Sequence, residues 1–213
     1  MDTIKITDNL YLFTSFEEFI NLSFNQFLLL GSESILIHTG SQQQAMVLAP
    51  KITEILDGRT LSYVFISHFE GDECGGLKAL MDHFPLAKPV CSAVTARQLK
   101  GFGLAPEVIV KAPGEALETG GYKLTFVGYP SEMHLWEGLM AFETKSGLLF
   151  SSDVFIRRGK ITAPIVDTSW PEEIQGITVE QVPSAQGLAT LKKDLQDLPV
   201  KLIAPGHGPC LRV

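Results

Sequence analysis

Residues 67–76 read Ser67-His68-Phe69-Glu70-Gly71-Asp72-Glu73-Cys74-Gly75-Gly76. An apolar run, Tyr63-Val64-Phe65-Ile66, precedes them, and a helical pattern opening with Leu77-Lys78-Ala79-Leu80-Met81 follows. The apolar run has the look of a strand buried on both faces. It delivers one imidazole and three carboxylates into the six positions from His68 to Glu73. Like charges at that density repel, and removing them from water is costly unless something positive sits among them. The stretch therefore predicts a metal centre at the end of a strand, with further ligands supplied from elsewhere in the chain.

Working outward, the first third predicts short strands at Ile4–Ile6, Leu10–Phe13, Asn25–Leu30 and Ser34–His38, the last two flanking a hairpin turn at Gly31-Ser32-Glu33. Gln42 to Leu56 carries apolar residues at helical spacing and stops at Asp57-Gly58. After the acidic loop the pattern predicts a helix from Gly75 to His83. A strand at Val90–Ser92 and a helix at Ala93–Gly101 come next, and then strands at Val108–Lys111, Tyr122–Val127, Leu139–Glu143 and Gly147–Ser151. Residues 156–187, with Pro164, Pro171 and Pro183, give a mixed signal. A helix at Gly187–Leu198 and a strand at Val200–Ala204 close the pattern. Two sets of strands mingled with helices predict two packed sheets with helices outside, in one domain spanning 1–213.

The composition agrees. With 45% apolar and 19% charged residues the chain can build a large core. A net charge of −7 repels phosphate backbones and anionic headgroups, which argues against nucleic-acid and membrane partners. Cys74, Cys91 and Cys210 form no paired spacing, and no signal peptide or membrane-length apolar run is evident, so a cytoplasmic protein is expected.

Three further candidates, His134, Asp153 and His207, fall in loops or directly after predicted strands. Loops at one sheet edge can converge on a site. His68, Glu70, Asp72, His134, Asp153 and His207 are too many ligands for one tetrahedral ion but suit two metals about 3.5–4 Å apart. Mixed imidazole and carboxylate donors favour iron or manganese without excluding zinc. Glu73 either joins this set or is a helix N-terminal carboxylate favoured by the dipole. His83 reads as structural, His38 as supporting or structural, Cys74 as packing, and Trp136 as pocket wall or core.

The order His68-x-Glu70-x-Asp72, then a histidine, then Phe150-Ser151-Ser152-Asp153, then Ala204-Pro205-Gly206-His207-Gly208 resembles the metallo-β-lactamase superfamily. Within it, the chain is most similar to the diiron domain of flavodiiron proteins and the free-standing oxygen-binding diiron proteins related to them, from Asn9-Leu10-Tyr11 to His207-Gly208-Pro209. The resemblance implies an α/β (α+β) four-layer αββα sandwich with its site at one edge of the two sheets. It also implies one iron held by His68, Glu70 and His134, a second by Asp72 and His207, and Asp153 bridging. Hydrolytic members usually carry a histidine where Glu70 stands, so Glu70 is the residue that points to iron. The chain departs from the family pattern at Glu73, usually histidine, and at His38 in Leu36-Ile37-His38-Thr39-Gly40, usually acidic.

The function this implies is a non-haem diiron protein that binds or reduces dioxygen or nitric oxide. The alternative is a dinuclear zinc or manganese hydrolase acting on a small ester, thioester or phosphoester. The sequence ends six residues beyond His207 without a phosphate-cradling loop, so turnover is expected to need an external redox partner. Whether the protein is an enzyme, and whether it forms a homodimer, stay open at this level.

Overall fold

The computed structural model describes residues 1–104, 107–129 and 138–213. Four antiparallel strands open the chain: β1 (Asp2–Lys5), β2 (Leu10–Glu17), β3 (Leu22–Leu29) and β4 (Glu33–Ile37). Helix α1 (Gln42–Leu56) begins at a capping box, in which Ser41 Oγ accepts from Gln44 N and Gln44 Oε1 accepts from Ser41 N. It buries Ala45, Leu48, Ala49, Ile52 and Leu56 on one face and crosses to β5 (Thr60–Phe65), parallel to β4. The short α2 (Gly71–Cys74), then α3 (Leu77–His83), β6 (Lys88–Cys91), α4 (Ala93–Gly101) and β7 (Ile109–Val110) complete a seven-stranded sheet in chain order.

The second sheet is built from β8 (Ala116–Thr119), β9 (Tyr122–Tyr129), β10 (Gly138–Glu143), β11 (Leu148–Ser152), β12 (Ile165–Asp167), β13 (Leu202–Pro205) and β14 (Cys210–Arg212). Its order is β12-β14-β13-β11-β10-β9-β8, and α5 (Trp170–Gly176) and α6 (Ala185–Gln196) lie between β12 and β13 in sequence. The two sheets face each other across Leu12, Phe27, Ile35, Phe65, Phe126 and Phe150. Phe27 meets Phe150 at 5.9 Å and Phe65 meets Phe126 at 5.4 Å, ring centre to ring centre. The outer face of the first sheet packs on α1 and α3, and that of the second on α5 and α6. Strands covered on both faces lose their alternation, which is why all six residues of β10 are buried. The result is the expected four-layer αββα sandwich. No helix among the described residues is long and apolar enough to cross a membrane.

The differences from expectation have local causes. The predicted Gly75–His83 helix begins at Leu77 as α3, and the acidic loop before it forms a separate turn, α2; between them Gly76 packs against the loop after β4, where a Cβ would collide with Ala45. Strands β2 and β3 extend to Glu17 and back to Leu22 through polar residues, because Thr14 Oγ1 donates to Asn25 Oδ1 inside the sheet. Strands β8, β12 and β14 are too short to show periodicity. Pro171, in the segment of mixed signal, stands in the first turn of α5, where its missing N–H costs nothing.

Candidate metal centre

The ends of β4, β5 and β11 and the loop after β13 meet at one edge of the sandwich. The loop after β5 is tied across to the second sheet by Leu139 N, which donates to Ser67 O at 2.9 Å. Helix α2 is fixed by Thr39, whose N and Oγ1 both donate to Glu73 O, and by Gly76 N, which donates to Gly40 O at 2.8 Å. On the far side, Asn25 on β3 grips the loop after β13. Its Nδ2 donates to Pro205 O and Gly208 O, and its backbone N donates to Gly206 O. His207 is then held with Nδ1 2.8 Å from Ser23 O and its ring edge-on to Phe24. Gly206 N donates to Ser152 O, which locks that loop to the residue preceding Asp153.

These ties bring five of the six predicted residues together, while His134, like Trp136, lies outside the described residues. His68 Nε2 is 3.1 Å from Glu70 Oε2, 3.4 Å from Asp153 Oδ2 and 3.8 Å from Glu73 Oε2. His207 Nε2 is 3.3 Å from Asp153 Oδ1 and 3.5 Å from Asp72 Oδ2. Asp153 thus presents one oxygen to each imidazole. Two donor groups of metal-binding size emerge: His68, Glu70 and Glu73, and Asp72, Glu73 and His207. Glu73 belongs to both. Its place in the first turn of α2 agrees with a dipole-favoured carboxylate, but its side chain is turned inward and almost wholly buried.

Electrostatics gives the reason to expect cations here. Burial, then Asp153 and Asp72, pushes the Glu73 carboxyl well above its usual range. Burial likewise raises Asp72, against a hydrogen bond to Glu73 and the His207 charge. Burial alone would lower His207, but its hydrogen bond and charge interaction with Asp153 leave it raised. Glu73 Oε2 is buried and accepts no hydrogen bond among the described residues. Four carboxylates around two imidazoles, with a buried oxygen unsatisfied, fit a pair of hard or borderline cations.

Sequence reasoning missed the groups behind His68. Its Nδ1 faces Tyr129 Oη at 2.7 Å, Ser67 Oγ at 3.1 Å and Ser152 Oγ at 3.4 Å. The one signal available was that Ser67 and Ser152 adjoin His68 and Asp153; nothing marked Tyr129 or Asn25. His38 proves to be a supporting residue, fully buried with Nε2 2.9 Å from Ser67 Oγ. Burial, and then the neighbouring His68, lower its pKa to about 3, so it is neutral. His83, in the last turn of α3, has its Nε2 3.0 Å from Thr53 Oγ1, away from the site. Cys74 donates to Glu70 O, and burial pushes its thiol up to about 12, which makes it a packing residue.

A cavity of about 500 Å³ opens onto this edge. Ile20, Leu22, Phe24, Ile156 and Pro183 are its apolar lining, and Glu70, Asp72, Asp153, Arg158, Glu180, Gln181 and His207 its polar lining.

The chain is 26% identical over 206 residues to an anaerobic nitric oxide reductase flavorubredoxin from Aeromonas hydrophila, covering 92% of the chain and 41% of that protein. A flavorubredoxin of the same description from Aliivibrio salmonicida is 30% identical over 145 residues, 67% of the chain and 29% of that protein. The chain spans about three tenths to two fifths of the length of such curated relatives. Among solved structures, rubredoxin oxygen:oxidoreductase from Desulfovibrio gigas superposes over 99% of this chain and 57% of its own, with a TM-score of 0.81 at 20% identity. The flavodiiron protein from Giardia intestinalis covers 100% of this chain and 56% of its own, with a TM-score of 0.77 at 18% identity, which speaks to the fold. The profile of the family described as ODP family beta lactamase matches residues 22–208, and the chain belongs to that family.

Proposed function

We propose that residues 1–213 act as one diiron domain that binds or reduces dioxygen or nitric oxide. The observation that carries this reading is the pair of joined donor groups, each with one imidazole and an excess of carboxylate, with Asp153 between the imidazoles. In this assignment His68, Glu70 and His134 hold one iron, Asp72 and His207 the other, and Asp153 spans the two. Glu73, within reach of both groups, completes either. The relatives support the metal and the ligand class: those named above are described as a nitric oxide reductase, an oxygen:oxidoreductase and a flavodiiron protein.

Two ferrous ions at this position would supply the electrons and the open coordination that a diatomic ligand needs. The protein's part is to hold and shield. Asn25 and Ser23 aim His207, the ring of Phe24 covers one side of it, and the apolar cavity wall of Ile20, Leu22 and Ile156 admits a small uncharged molecule. Electrons would come from a redox partner, on another chain or a further domain. A reducing cytoplasm suits the three buried free thiols, and a homodimer is compatible with the reading.

The test is to load metal-depleted protein with ferrous iron without oxygen and mix it rapidly with dioxygen and, separately, nitric oxide. A visible absorption change that scales with two irons per chain is expected. No optical response to either gas, with an ester or phosphoester hydrolysed by a zinc-loaded sample, would overturn it.

A further inference from the structure

The turn after β11 that carries Asp153 continues through residues 156–159, and this short stretch is stitched to the His207 side of the site. Arg157 N donates to His207 O at 3.1 Å. Gly208, at φ +91°, packs so closely on Arg157 that a Cβ there would stand 2.7 Å from Arg157 O. Two residues on, Gly159 N donates to Asn21 O, and Gly159 O accepts from Ser23 Oγ at 2.8 Å. Ser23 is the residue whose carbonyl faces His207 Nδ1. The stretch therefore fastens the loop that aims this imidazole to the start of β3.

The turn itself is held under constraint. Ser152 and Phe155 are both in the left-handed region, with φ of +51° and +68°. That conformation is unfavourable for residues with a Cβ and persists where surrounding structure enforces it. The enforcing groups come from α5 and the end of β12. Phe155 packs on Trp170, ring centres 5.4 Å apart. The Arg157 guanidinium braces the turn from within, Nη1 donating to Ile156 O at 3.2 Å and Phe155 O at 3.4 Å. Its Nη2 donates to both carboxylate oxygens of Glu173, at 2.6 and 2.7 Å. Glu173 also accepts from Thr168 Oγ1 at 2.6 Å and is only 7% exposed. A carboxylate so buried is tolerated because the guanidinium answers its charge. Neither Arg157 nor Glu173 belongs to the two donor groups.

We propose that Arg157 and Glu173 form a clamp that positions His207, so that α5, which supplies no donor, sets the affinity of the metal position at Asp72 and His207. This rests on the reading of His207 as a metal ligand. Glu173 fixes the Arg157 side chain, the fixed turn holds Arg157 N against His207 O, and the imidazole stays with Nε2 3.5 Å from Asp72 Oδ2. A ligand loop already held in its binding conformation spares the ion the cost of ordering it. Arg157 and Glu173 are positioning residues, acting on the metal through His207.

The experiment titrates Zn²⁺, as the probe, into the metal-depleted whole chain by calorimetry. His207→Ala identifies which binding step belongs to the Asp72 and His207 position. Glu173→Gln and Arg157→Met each remove one half of the clamp, and each should weaken that step roughly ten- to hundredfold while changing the other step far less. Because the two residues act through one contact, the double variant should be no weaker than the weaker single. Thr168→Val takes a hydrogen bond from Glu173 but spares the clamp. It should lower stability in denaturant unfolding and leave both zinc steps at their wild-type affinities. Amide spectra check that each variant folds; should Glu173→Gln fail to, Arg157→Met, whose side chain is 45% exposed, carries the test with Thr168→Val. If the His207 step keeps its affinity in the folded single variants, if their losses add in the double, or if Thr168→Val weakens it equally, the clamp is overturned and the metal assignment stands. If the wild type binds no zinc, the assignment and the clamp fall together.

Discussion

Replacing Glu73 by glutamine should have opposite effects with and without metal. Glu73 is buried against Asp72 and Asp153, and its Oε2 accepts no hydrogen bond among the described residues. An ionised carboxyl is unfavourable beside Asp72 and Asp153, whereas a glutamine amide of the same shape is uncharged and can donate to a neighbouring carboxylate, a hydrogen bond worth about 1.5–3 kcal/mol. In the metal-free protein the variant should therefore be more stable by about 2 kcal/mol, or about 4–8 °C in Tm for a chain of this size. The pH dependence has a defined sign. Because the folded-state pKa is raised, the native protein keeps a proton that the unfolded chain releases above 4.5. Wild-type stability contributed by this group therefore falls as pH rises above 4.5 towards neutrality, and the glutamine variant loses that slope. Loaded metal inverts the ranking. A cation present at a hundredfold excess over its Kd stabilises the wild type by about 2.7 kcal/mol, and the variant, lacking a carboxylate both donor groups share, should gain far less. Thermal unfolding of chelator-treated and iron-loaded samples at pH 5.5 and 8 checks each arm. A metal-free variant less stable than wild type at pH 8, or one with an undiminished metal-induced shift, would refute the reasoning.

Two further outcomes follow from the scaffold. Asn25→Ala removes the donors to Pro205 O and Gly208 O and should cost about 1–3 kcal/mol in denaturant unfolding. It should also weaken the metal position at His207 more than the one at His68, which stepwise titration would resolve; equal weakening would contradict the assigned role of β3. Phe150→Ala, between the sheets against Phe27, should cost about 3–5 kcal/mol by the same assay, and a loss under about 1 kcal/mol would be inconsistent with a close-packed inter-sheet core.

How much of this was legible in the sequence depends on length scale. The acidic loop, the helices α1 and α4, and the strand before His68 were readable because each carries its signal locally: apolar residues at helical spacing, a continuous apolar run, or a density of charge. The five candidate donors that meet at this edge could be picked out because metal chemistry restricts the residue types. The supporting groups were not. Asn25 looks like an unremarkable polar residue until β3 is seen to cross the loop bearing His207. Tyr129 looks like a core aromatic until Gly138 is found opposite it. His38 sits where the resembled family usually has a carboxylate, and only the contact with Ser67 shows what a neutral imidazole does there. Such roles depend on pairings between strands distant in sequence, which periodicity does not encode.

The central claim is that this edge of the sandwich holds a pair of irons. It is tested most directly by counting metal in protein isolated without oxygen from iron-replete cells and recording the Mössbauer spectrum of the ⁵⁷Fe-enriched form. The account predicts two irons per chain, magnetically coupled in the oxidised state through a shared ligand. One isolated iron per chain, or stoichiometric zinc with no iron, would contradict it.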